Sequence, residues 1–196
     1  MADPSLYDHP DPLQGYEDRE PLSTTLNPSD GKSLLNPTAT QKSPAYTTFP
    51  FPLTNSSRGA FDIHIYYLPT SPTQTLFAQN LHARIRYEFP ELRIYPIFDR
   101  PVGPHTTAMF EVNLFTPEQF GAFVPWLVIH RGMLSALVHP NTEGGGEQER
   151  DHTQRATWLG QPWPIEAGLL RRVDEERRRT KKREEKGEEG EKKVEG

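Results

Sequence analysis

Cysteine is absent from all 196 residues. That excludes disulfides, thiolate zinc sites, iron–sulfur clusters and a cysteine nucleophile, so any metal must be held by His, Asp or Glu. Such ligands suit iron(II), manganese, zinc or magnesium. Apolar residues are scarce too, at 34% with a mean hydropathy of -0.75, so only part of the chain can build a core. Long apolar runs are missing: FGAFVPWLVI falls far short of the roughly 20 residues of a membrane span. The start, MADPSLYDHPDP, has neither a basic opening nor an apolar stretch, so no secretory signal is read there. No membrane association is expected, and the expected compartment is cytoplasmic. Motifs for phosphate cradling, G-x-S-x-G and H-E-x-x-H are absent as well. The stretch EGGGE reads as a flexible acidic loop that would repel phosphate.

The charge is unevenly spread. From Arg171 onward, 11 Lys+Arg face 9 Asp+Glu, a net of +2; the whole chain carries -5, which leaves -7 on the rest. A nucleic-acid binder carries its basic excess on the folded domain, so no nucleic-acid partner is expected. Residues 1–58 are rich in Pro, Ser and Thr and read as a disordered or loosely packed head, with YTTFPFPL as an extended strap. Residues 171–196 read as a charged, disordered tail. The folded domain is expected over 59–170.

Within it the periodicity is clear. FDIHIYYL (61–68), LRIYPIF (92–98), TAMFEVNLF (107–115) and MLSALVH (133–139) have strand composition. Residues 73–89 repeat Phe77, Leu81, Ile85 and Phe89 on one helical face. Residues 116–132 open with Thr116 as N-cap, Pro117 at the first helical position and Gln119 closing a capping box, and exit at Gly132. The order βαββαβ predicts an α+β, ferredoxin-like fold: an antiparallel four-stranded sheet with two helices on one face.

Strand alternation then sorts the side chains. Ile63, Ile65, Phe110, Val112, Ala136 and Val138 suit the helix-covered face. Asp62, His64, Tyr66, Met109, Glu111, Leu137 and His139 fall on the other, and His105, delivered by the turn RPVGPH, extends the same parity. This topology places Glu111 opposite His64 and His139 near Asp62. Two histidines and a carboxylate match the facial triad of non-haem iron(II), and a three-histidine site is equally allowed by residue type. His64, His139, His105 and Glu111 are therefore candidate metal ligands. His105 is alternatively an acid–base group, as is His152, which a loop residue's role would also explain. His9, His82 and His130 read as surface groups, and Trp126, Trp158 and Trp163 as packing residues. Tyr66, Met109 and Leu137 are too apolar to leave bare on an uncovered sheet face, which predicts a homodimer.

The ordered set FDIHIYY, RPVGPH…MFEV, PWLVIHRGMLSALVHP, DH and WLG, over about residues 60 to 161, resembles the DOPA 4,5-dioxygenase family. The resemblance implies extradiol cleavage of a catechol such as L-DOPA with O2, using Fe(II), to a seco-DOPA that cyclises to a betalamic acid or muscaflavin type pigment. His64, His105, His139 and His152 match the family's histidines. Many members have His-x-His in the first strand, where this chain has Asp62. That departure supports a rival expectation: a binding or interaction module that keeps the fold without turnover.

Overall fold

The computed structural model describes residues 10–143 and 147–194, with side chains to residue 185. His9 and the glycines of EGGGE lie outside the described residues. The described residues divide into two units, one up to Pro44 and one from Ala45 onward. In the first, the described residues form turns and one isolated bridge, Leu26 to Leu34. Asn27 and Asp30 stabilise those turns by accepting hydrogen bonds from Ser29, Lys32 and Ser33.

The second unit starts at Ala45, earlier than the expected boundary at 59, because the segment before the first strand has partners in the domain. Leu53 bridges Thr142, the Thr54 amide donates to the Asn141 carbonyl at 2.9 Å, and the Phe49 ring lies 5.4 Å from that of Phe61.

Among the described residues, five strands and four α-helices follow. They are β1 (Phe61–Tyr67), α1 (Pro72–Glu88), β2 (Arg93–Ile94), β3 (Ala108–Leu114), α2 (Pro117–His130), β4 (Ser135–Pro140), α3 (Gln148–His152), β5 (Thr157–Leu159) and α4 (Ala167–Val194). The sheet order is β2-β3-β1-β4-β5, antiparallel throughout. The α+β ferredoxin-like arrangement is thus present, and β5 extends it by a strand too short to be read from its sequence. Ladder β2 is shorter than 92–98 because Pro96 has no amide hydrogen. Tyr95 and Phe98 still donate to Glu111 and Met109, at 2.9 and 2.8 Å.

The predicted start of α2 is present, and α1 has a cap that was not read from the sequence. Ser71 caps α1 through the Gln74 amide, and Thr116 caps α2 through the Gln119 amide at 3.1 Å. Gln119 Oε1 reaches back one residue further than a standard box, to the Phe115 amide. Gly132 leaves α2 at φ +56°, where a Cβ would run into the Phe77 ring.

The two helices press Ala78, Leu81, Ile85, Phe123 and Leu127 onto Ile63, Ile65, Phe110, Val112 and Val138. Each large side chain fully buried there contributes on the order of 2 kcal/mol. The opposite face is covered as well. Tyr66, Met109 and Leu137 are buried beneath Phe98, Val102, Trp158, Trp163 and Ile165 of the same chain. The apolar surface that predicted a homodimer is therefore used internally, by a segment whose sequence shows no strong periodicity.

The charged residues from Arg171 onward, expected as a disordered tail, continue α4. Their Glu, Lys and Arg content favours helix, an ion pair joins Glu175 to Arg179, and Leu170 and Asp174 are buried at its start. Among the described residues, no helix is long and apolar enough to cross a membrane.

Candidate metal centre

The register brings the polar face together as strand parity predicts. His64 pairs with Glu111 and Asp62 with His139. His105 comes from the Pro–Val–Gly–Pro turn, which Gly103 closes at φ +57° and the His105 amide locks onto the Val102 carbonyl. His152 ends α3.

Three of these histidines converge. One nitrogen from each of His64, His139 and His152 lies within 4.8 Å of the other two, and all three residues are buried. This group could hold a metal ion, and its hydrogen bonds test the fit. His139 Nδ1 lies 2.9 Å from the Pro140 carbonyl, and His152 Nδ1 lies 2.9 Å from the Gln148 carbonyl. A carbonyl only accepts, so both Nδ1 atoms carry the hydrogen and both Nε2 atoms present lone pairs. His64 Nε2 stands 3.0 Å from His139 Nε2. Two imidazole nitrogens at roughly 2.1 Å from one ion, at right angles, would be roughly 3 Å apart. The donor set therefore fits a cation that accepts neutral imidazole.

Burial keeps these rings neutral. It is the largest cause holding His64 well below the usual histidine range, and the neighbouring histidines add to it. Burial likewise pushes His139 down to about 3, only partly offset by its bond to Pro140, and lowers His152 strongly.

Glu111 lies behind His64, whereas Asp62 approaches the inward nitrogen of His139. Glu111 Oε2 is 3.8 Å from His64 Nδ1, a buried atom with no hydrogen-bond partner. Asp62 Oδ2 is 4.0 Å from His139 Nε2 and 3.9 Å from Arg58. The Asn113 amide nitrogen donates to both carboxylates, at 2.7 Å each. Burial first, then the Glu111 charge, raises Asp62 to about 7.

His105 packs against His64 but is not one of the three whose nitrogens converge. Its ring centre is 4.0 Å from that of His64 and 5.9 Å from that of His152, and its Nδ1 is 2.7 Å from Tyr66 Oη. Burial, then His152, pushes His105 down to about 3, so it does not titrate near neutral pH. Tyr66 was read from the sequence only as an apolar face residue. Strand parity placed it beside His64, and that parity was the available signal. His82, read as a surface group, donates to or accepts nothing at this site; its Nε2 faces the Tyr95 carbonyl.

The model of the Dopa 4,5-dioxygenase family matches residues 61–169, more than half of the chain. The chain belongs to the Dopa 4,5-dioxygenase family. A Botryotinia fuckeliana relative, an uncharacterized 21.2 kDa protein, is 59% identical over 181 residues, covering 90% of this chain and 98% of that one. DOPA 4,5-dioxygenase of Amanita muscaria is 30% identical over 112 residues, 55% of this chain and 47% of that protein. A crystal structure of a proposed dioxygenase from Nostoc punctiforme is 31% identical, covering 59% of this chain and 93% of that one, with a TM-score of 0.47. His64, His139, His152 and the neighbouring His105 all lie inside the span matched by the Dopa 4,5-dioxygenase family.

Proposed function

We propose that this chain is a non-haem iron(II) extradiol dioxygenase that cleaves a catechol such as L-DOPA with O2, giving a seco-DOPA of the betalamic acid or muscaflavin type. The observation that carries the reading is the convergence of three neutral, buried imidazoles beside a fourth buried histidine paired with Tyr66. The family supports the reaction class.

His64, His139 and His152 would hold the iron. Bound Fe(II) would supply a Lewis-acidic centre with positions left for both catechol oxygens and for O2. The backbone carbonyls of Pro140 and Gln148 fix the Nδ1–H tautomers of His139 and His152 and so direct each Nε2 inward. The His139 Nε2 lone pair accepts from His64 Nε2–H at 3.0 Å. To ligate, His64 must move that hydrogen to Nδ1, where Glu111 Oε2 waits at 3.8 Å. Glu111 thus serves as the acceptor behind His64 rather than as a ligand, and Asn113 holds its carboxylate in place.

His105 is the proton carrier. Tyr66 engages Nδ1, which leaves Nε2 to take a catechol proton. The ring starts neutral because burial depresses its pKa, and an anionic catecholate alongside would favour the protonated form. Trp158 and Trp163, packed on Tyr66 and Leu137, exclude water from this side.

The test is metal content measured beside turnover. His64→Ala, His139→Ala and His152→Ala should each lose iron and activity together. Retention of one iron per chain by all three would refute the ligand set.

A further inference from the structure

We infer that Asp174, with Arg171 beside it, positions His152 from outside the family's matched span; the inference rests on His152 being a metal ligand, as proposed above. Helix α3 has only five residues, Gln148 to His152. A helix of one turn does not sustain itself, since its nucleation cost exceeds what its few hydrogen bonds return. Its first amides also need outside acceptors, and Glu147 at its N-cap supplies no side-chain bond.

The acceptors come from α4. Asp174 Oδ1 accepts from the Gln148 amide at 2.8 Å, and Oδ2 accepts from the Glu149 amide at 3.0 Å. Asp174 is only 3% exposed, so water is not an alternative partner for those amides. One turn earlier on α4, Arg171 forks onto Glu149, with Nε to Oε2 at 2.9 Å and Nη2 to Oε1 at 2.6 Å. The chain of contacts then reaches the site: the Gln148 amide is held by Asp174, and the Gln148 carbonyl accepts His152 Nδ1–H at 2.9 Å. The residue that orients the imidazole is therefore itself oriented by the start of the charged helix. The family match ends at residue 169, so both α4 side chains lie just beyond it. A sequence rule that assigns everything from Arg171 onward to a solvated tail overlooks them.

The experiment is a double-mutant cycle read by Co(II) affinity, using the full chain and a competing chelator, without turnover. Asp174→Ala should weaken Co(II) by about 10–100-fold, the usual effect of losing a partner that orients a ligand. Its visible Co(II) bands should move toward those of His152→Ala. In the His152→Ala background, Asp174→Ala should have no further effect on affinity, because its only route to the metal is gone. Arg171→Met provides a milder variant that leaves both amide bonds intact. It should weaken Co(II) by a smaller factor, again only when His152 is present. Wild-type affinity in both α4 variants would overturn the inference, as would an equal loss with and without His152. If His152→Ala itself binds Co(II) as tightly as the wild type, the three-histidine reading fails, and the inference falls with it.

Discussion

The metal-free protein should lose stability on mild acidification, well above the range in which ordinary carboxylates titrate. His64, His105, His139 and His152 are all buried, and burial is the largest cause lowering each one, to about 3 for His105 and His139. On unfolding, each returns to roughly 6.5. A depressed folded-state pKa contributes stability that is present above about 6.5 and is lost progressively as pH falls toward about 3. Between pH 7.5 and 5.5 each histidine therefore costs about 1.4 kcal/mol, or about 5 kcal/mol for the four, and the size depends almost wholly on the unfolded value. Asp62 acts in the opposite sense. Its folded value of about 7 lies above the unfolded one, so its contribution grows as pH falls through 7. Over the same interval it returns about 2 kcal/mol. The net loss from these five groups is about 3 kcal/mol, reduced somewhat by Asp151, which burial also raises, against the roughly 5–15 kcal/mol that holds a domain together. Urea midpoints of chelator-treated protein at the two pH values measure it. Unchanged or greater stability at pH 5.5, or four histidine resonances titrating near 6.5, would refute the reasoning.

Other expectations follow from individual contacts. His105→Ala should keep one iron per chain and lose about 10²–10⁴-fold in turnover, the usual share of general acid–base catalysis; loss of iron would make His105 a ligand. Tyr66→Phe should retain iron and shift the pH profile of turnover, since it removes the partner of His105 Nδ1; an unchanged profile would argue against the pair. Glu111→Gln should weaken iron about 10–100-fold without abolishing it, as expected of a carboxylate standing behind a ligand, and complete loss of iron would restore the two-histidine-one-carboxylate site. Removing residues 186–196 should leave the melting temperature unchanged, whereas removing 170–196 should lower it, because only the latter takes away Leu170 and Asp174.

Strand parity made the centre of this protein legible. Alternation in FDIHIYY and TAMFEVNLF assigned Ile63 and Phe110 to the core and His64 and Glu111 to the polar face, and antiparallel pairing did the rest. The start of α2 was legible for a local reason, since Thr116 acts within three residues. What could not be read depends on long-range contacts. His152 sits at the end of a five-residue helix whose acceptor lies 26 residues away, at Asp174, and neither segment has a periodicity that predicts the other. Coverage of the polar face by Trp158, Trp163 and Ile165 was hidden for the same reason. The conclusion that Tyr66, Met109 and Leu137 needed a second chain followed from that gap. Residues 171–196 read as a disordered tail because high charge density reads as solvation, although Glu, Lys and Arg are also good helix formers.

The most direct measurement is oxygen uptake by protein loaded anaerobically with one Fe(II) per chain and then mixed with L-DOPA and O2. The account predicts consumption of one O2 per L-DOPA with a yellow product, abolished in His139→Ala. Tight iron binding with no oxygen uptake from any catechol would contradict it, and would mean that the fold and the three histidines persist in a protein that binds without turnover.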